Sequence, residues 1–148
     1  SAYIQGGGEA YSMQREKLYG RVRLVNGKAW LAPPSLEKAE ATGTGFSVVR
    51  GAMRTMDGEI GHSRGNMWEY TVSEFESLAD CAQAPQESPL FVFEDDRQLP
   101  FPHAFHDDID RDGAGRFSHW GNSVYFSSRD NSPPPSNGRK YRIFVAVD

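Results

Sequence analysis

The sequence predicts a mainly β protein: an antiparallel β-sandwich or partly closed barrel with one or two short helices. Three observations carry that expectation. Short apolar runs follow one another without a regular helical crossover between them, which argues against parallel pairing. Fifteen glycines and nine prolines in 148 residues break the chain too often for long helices. No G-x-G-x-x-G or P-loop pattern marks the turn of a doubly wound α/β sheet.

Residues 1–14 (SAYIQGGGEAYSMQ) read as a loose arm, because three consecutive glycines resist ordering. Residues 15–148 read as one β-rich domain, a length that buries a core without staples. Gly20–Val25 and Lys28–Ala32 flank Asn26-Gly27, the dipeptide that supplies the two positive-φ positions of a tight hairpin. Pro33-Pro34 stops the second strand, and residues 35–44 are ambiguous, a short helix capped by Ser35 being one reading. Gly45–Gly51 reads as a strand and 53–66 as turns, with Asp57-Gly58 a second hairpin signal. Trp68, Tyr70 and Val72 alternate with Glu69 and Thr71, as a half-buried strand requires.

A helix is predicted next. Ser73 and Glu76 form a capping box, and Phe75, Leu78, Ala79 and Ala82 fall on one side at helical spacing. Pro85 and Pro89 bar its extension. Leu90–Glu94 reads as a strand of the fully buried type, followed by an Asp95-Asp96 turn. Asn122–Phe126 and Lys140–Val147 complete the set. In the last strand Tyr141, Ile143, Val145 and Val147 share one face and Phe144 and Ala146 the other.

The formal charge is −4 and no basic run exceeds a pair, which weighs against nucleic acid as a partner. No stretch approaches the ~18 apolar residues of a membrane span, so no membrane insertion is expected. A single cysteine, Cys81, excludes an internal disulfide. With no secretory segment in view, a cytoplasmic location is favoured.

Three groups of residues carry chemistry. Asp108, Asp110 and Asp112 followed by Gly113 match the opening of a calcium loop, where alternate carboxylates converge on a hard cation. The match fails at its later positions, where Gly115 and His119 replace an aliphatic residue and the closing Glu. The competing reading is a short helix from Ala104 to about Asp110 closed by Gly113 in the left-handed conformation. His103 and His106 form a second group. At i and i+3 they share a helical face, and with Asp107 or Asp108 they suit a transition metal or general base. The third group is His119, Trp120, Asn122, Arg129, Asp130, Asn131, Asn137 and Arg139. An aromatic plane among amides, carboxylates and guanidinium forks suits the C–H face and hydroxyls of a sugar. The competing reading makes Trp120 core and the asparagines turn formers.

The segment GRFSHWGNSVYFSSRDNSPPPSNGRKY resembles one found in proteins of bacterial surface-polysaccharide synthesis, beside glycosyltransferase or methyltransferase domains. The likeness runs over Gly115–Gly121, Tyr125–Ser127, Ser128–Ser132 and Asn137–Tyr141, with His103-Ala104-x-His106 upstream. It departs at Arg129, which interrupts a Ser-Asp pair, and at Pro133-Pro134-Pro135. The resemblance implies a glycan-related role. The first reading is therefore a non-catalytic carbohydrate-binding or accessory module, with no resident cofactor, a glycan ligand and a polysaccharide-assembly enzyme as neighbour. The second is a metal-assisted hydrolase or transferase built on His103, His106 and Asp108. The third is a structural or dimerisation domain.

Overall fold

The computed structural model describes residues 18–25, 28–31, 46–56 and 59–146. It is an antiparallel sandwich of two open sheets, as the alternation predicts, and neither sheet closes into a barrel. The larger sheet contains β1 (Leu18–Val25), β2 (Lys28–Leu31), β3 (Phe46–Thr55), β6 (Leu90–Glu94), β7 (Arg97–Gln98) and β10 (Tyr141–Ala146), in the order β2-β1-β3-β10-β6-β7. The smaller contains β4 (Gly61–Arg64), β5 (Met67–Thr71), β8 (Phe117–Trp120) and β9 (Ser123–Phe126), in the order β4-β5-β9-β8.

Val25 pairs with Lys28, so two residues join β1 to β2, as the Asn26-Gly27 signal requires. That dipeptide lies outside the described residues, as do Asp57-Gly58, the 1–14 arm and the ambiguous 35–44 stretch. The alternation of β10 is realised from Tyr141 to Ala146, and Val147 lies outside the described residues. Tyr141, Ile143 and Val145 enter the core between the sheets, while Phe144 joins Met53 and Phe93 in a second cluster on the opposite face. From the smaller sheet Tyr70, Val124 and Phe126 enter the shared core. Fully burying a side chain of this size is worth about 1.5–3 kcal/mol, so the interface between the sheets is the main source of stability.

Two elements differ from expectation. The stretch after Thr71 is a 3₁₀ turn, Ser73–Leu78, in which no side chain caps the backbone. The Ser73/Glu76 capping box is not formed. The reason is tertiary: Phe75 is buried in the core, and at Asp80 the backbone N–H donates to the His119 carbonyl at 2.8 Å. That pairing draws the chain extended where a helix would continue. The second difference is β8, a strand not predicted from the sequence; it pairs with β9 from Phe117↔Phe126 to Trp120↔Ser123.

Helix α1 (His106–Arg111) lies across the outer face of the smaller sheet. Ile109 is fully buried beneath it. Gly113, at φ +59°, closes the helix, its N–H reaching the Asp108 carbonyl at 3.1 Å. No helix among the described residues is long and apolar enough to cross a membrane.

Candidate functional site

β8 is an edge strand whose exposed side is covered by two separate segments. The Ala104 N–H donates to the Phe117 carbonyl at 2.9 Å, and the Asp80 N–H donates to His119 one step further along. Where these segments meet, a cleft of about 320 Å³ opens over the outer face of the sheet. Strand alternation sends Phe117 into the core and leaves Ser118 and Trp120 facing the cleft.

The cleft has an aromatic rim and a polar floor. Trp120 is 40% exposed and Phe105 is 76% exposed, both unusual for residues of their size. His106 packs at a tilt of 44° against Tyr125, ring centroids 4.3 Å apart, and meets Trp120 edge-on at 6.2 Å. Below them Asp80 is only 3% exposed. One of its oxygens accepts the Ser88 N–H at 2.7 Å, and the other accepts His103 Nδ1–H at 2.7 Å. An ionised carboxylate only accepts, so the His103 proton sits on Nδ1 and a neutral ring carries its lone pair on Nε2. The His103 backbone is held at φ +57°, in the left-handed region that side-chain-bearing residues seldom occupy.

Several polar atoms here have unspent hydrogen-bonding capacity. Ser118 is 3% exposed, and its Oγ is buried without a partner. His106 Nε2 and His119 Nε2 are likewise unpartnered. Buried polar groups are nearly always satisfied, so such a group beside a cleft marks a place for a ligand atom or water. Burial lowers the pKa of His106, with the Arg64 guanidinium adding to the effect. Burial also pushes His119 down to about 4, the nearby Asp80 carboxylate opposing only in part. Both rings are therefore neutral at pH 7. His119 faces inward from the cleft and bonds Ser88 Oγ at 2.7 Å.

The remaining residues of the sugar patch lie elsewhere. Trp120 and Ser123 stand at the turn end of the β8–β9 hairpin, whereas Arg129 to Asn131 follow the far end, roughly 10 Å away at ~3.3 Å per residue. Asn122 is exposed in the turn itself. At the far end the polar groups are engaged with their own chain. Arg139 grips Asp130 through two bonds of 2.7 and 2.8 Å and also reaches Glu94. Asn137 donates to Tyr141 Oη at 2.8 Å, and Tyr141 donates to the buried Glu94 at 2.6 Å. Arg129 bonds the Gln98 carbonyl and approaches Glu94, although its Nε is buried without a hydrogen-bond partner. Asn131 accepts the Ala114 N–H at 2.7 Å. The paired guanidinium of Arg139, with Ser132 donors adding to it, holds Asp130 far below the carboxylate range. Burial and the Glu94 hydrogen bond raise the Tyr141 phenol.

The three aspartates of the calcium reading do not share a centre. Asp108 and Asp112 pair with Arg111, and Asp110 pairs with Arg64. No group of three or more His, Cys, Asp or Glu poised to hold a metal occurs among the described residues. His103 and His106 do line one cleft, but their carboxylate neighbour there is Asp80, not Asp108. Sequence reasoning missed Asp80, Ser118 and Phe105. For Asp80 the only signal was an acid set among Ala79, Cys81 and Ala82, too small and apolar for a solvated face. Comparisons with protein-family models, curated proteins and solved structures find no match.

Proposed function

We propose that this chain is a carbohydrate-binding module, accessory to polysaccharide assembly, and that its ligand ring lies on Trp120 in the cleft beneath Phe105. The observation that carries the reading is the combination at one place of an exposed indole plane and buried polar atoms with unspent hydrogen bonds. A pyranose offers a C–H face to the first and hydroxyls to the second. The neutral His106 adds hydrogen-bonding capacity at the cleft without a charge that a ligand must offset. The far end of the hairpin is a weaker host, since its amides and most of its guanidinium nitrogens already have partners.

A shallow site of this kind binds in the range of about 4–7 kcal/mol. An NMR titration with a panel of neutral oligosaccharides, using wild type and Trp120→Ala, tests it. The variant is expected to lose affinity about tenfold, roughly 1.4 kcal/mol. Equal affinity in the two proteins, or shifts clustered around Asp130 and Arg139, would sink the assignment to the cleft.

A further inference from the structure

We propose that the cleft also hydrolyses an acyl ester, with His103 as general base and Asp80 as the residue that positions it. The alcohol half being a sugar rests on the preceding section; the hydrolytic step does not.

Three features carry the inference. The first is the dyad: Asp80 is buried, is fixed by the Ser88 N–H, and holds His103 Nδ1 at 2.7 Å. That bond selects the tautomer whose free Nε2 accepts a proton. The second is Ser118, nine-tenths buried or more, lining the same cleft with an unpartnered Oγ. Having no hydrogen-bond partner, that hydroxyl has no base within reach, so it is a donor and not a nucleophile. The third is the supply of carboxylates. Asp80 is the one carboxylate among the described residues lining the cleft, and both its oxygens are occupied. Cleaving a glycosidic bond takes two carboxyl groups across the bond, whereas a histidine base with water suits an acyl carbonyl.

The step balances with water alone. His103 Nε2 takes a proton from water as its oxygen bonds the carbonyl carbon, and the carbonyl π pair moves onto oxygen. Ser118 Oγ–H donates to that oxyanion. The tetrahedral intermediate then expels the alkoxide, which takes the proton back from the imidazolium. One ester and one water give one acid and one alcohol.

The test measures acetate release from 4-nitrophenyl acetate and glucose pentaacetate, against free imidazole at equal concentration. The protein is expected to exceed imidazole by about 100-fold, and His103→Gln to lose that advantage in kcat with KM held within about twofold. Ser118→Ala is expected to cost about 10- to 100-fold in kcat. Should His103→Gln fail to fold, Asp80→Asn takes its place, losing rate through the wrong tautomer. Wild-type release no faster than imidazole, or full activity in the folded His103 or Asp80 variant, overturns the proposal. Oligosaccharide binding without release overturns hydrolysis and leaves the binding reading standing. Release from the nitrophenyl ester without any saccharide binding supports hydrolysis and overturns the sugar reading.

Discussion

The two ends of the β8–β9 hairpin carry similar residue types in opposite states. At one end Glu94, Arg139, Asp130, Asn137 and Tyr141 satisfy one another, and little bonding capacity is left for a visitor. At the other end Ser118 and His106 keep buried polar atoms unpartnered under an exposed indole. A list of polar and aromatic side chains does not separate these cases. What separates them is whether the groups have already found partners in their own chain, and that decides which end has hydrogen bonds to give.

Breaking the saturated end should cost stability and leave the cleft intact. Glu94→Ala removes the acceptor of Tyr141 and Arg139 and leaves their polar groups facing a cavity. An expected loss of about 3 kcal/mol follows for a buried ionic partner removed alone. Urea unfolding measures it, and oligosaccharide affinity at the cleft should be unchanged. A variant as stable as wild type would mean that the network is ornamental.

The ends should also fail at opposite extremes of pH. His119 has a folded pKa of about 4 against an unfolded value near 6.5, so the unfolded chain binds its proton first. Its contribution is complete above about pH 6.5 and is lost as pH falls toward 4, a loss of about 3 kcal/mol across the window. Tyr141 has a raised folded pKa, so its contribution is complete below about pH 10 and is lost as pH rises beyond. Denaturant midpoints across pH 4–11, compared in His119→Gln and Tyr141→Phe, should flatten the acid and alkaline limbs respectively. An unaltered acid limb in the His119 variant would assign that loss to other groups.

A smaller effect sharpens the same contrast. Asn131 holds the turn after α1 by accepting the Ala114 N–H and donating to the Asp112 carbonyl at 3.3 Å. Asn131→Ala is expected to cost about 1 kcal/mol, the usual value of a lost side-chain cap, with ligand binding unaffected. A melting curve beside a titration reads both, and weakened binding would mean the far end takes part in recognition.

Much of the scaffold was legible in the sequence. β5, β6 and β10 announce themselves through apolar alternation or a continuous apolar run, because burial on known faces dictates their residues. β4 was not legible: Gly61–Arg64 is exposed at every position and has no apolar residue to alternate. β8 was hidden differently. Ser118 and His119 are buried polar residues, and His119 is accommodated by Ser88, 31 positions away. No local pattern announces such a partner. The site divides along the same line. Trp120 and the pair His103/His106 could be singled out by type, but their meeting depends on two segments crossing the edge of one strand. Asn131 and Asn137 look like ligand groups in sequence, since nothing there shows that Asn131 is engaged by the turn after α1 and Asn137 by Tyr141.

The hairpin that presents Trp120 turns through only two residues, with Gly121 at φ +59° where a II′ turn demands glycine. A connection that short cannot fold over an occupant as a flap. The floor is likewise preset, because the backbone of Asp80 is stitched to β8 before anything arrives. Arrival and departure would then be governed by diffusion and contact strength, with little ordering entropy to surrender. Such a surface favours brief visits over long residence.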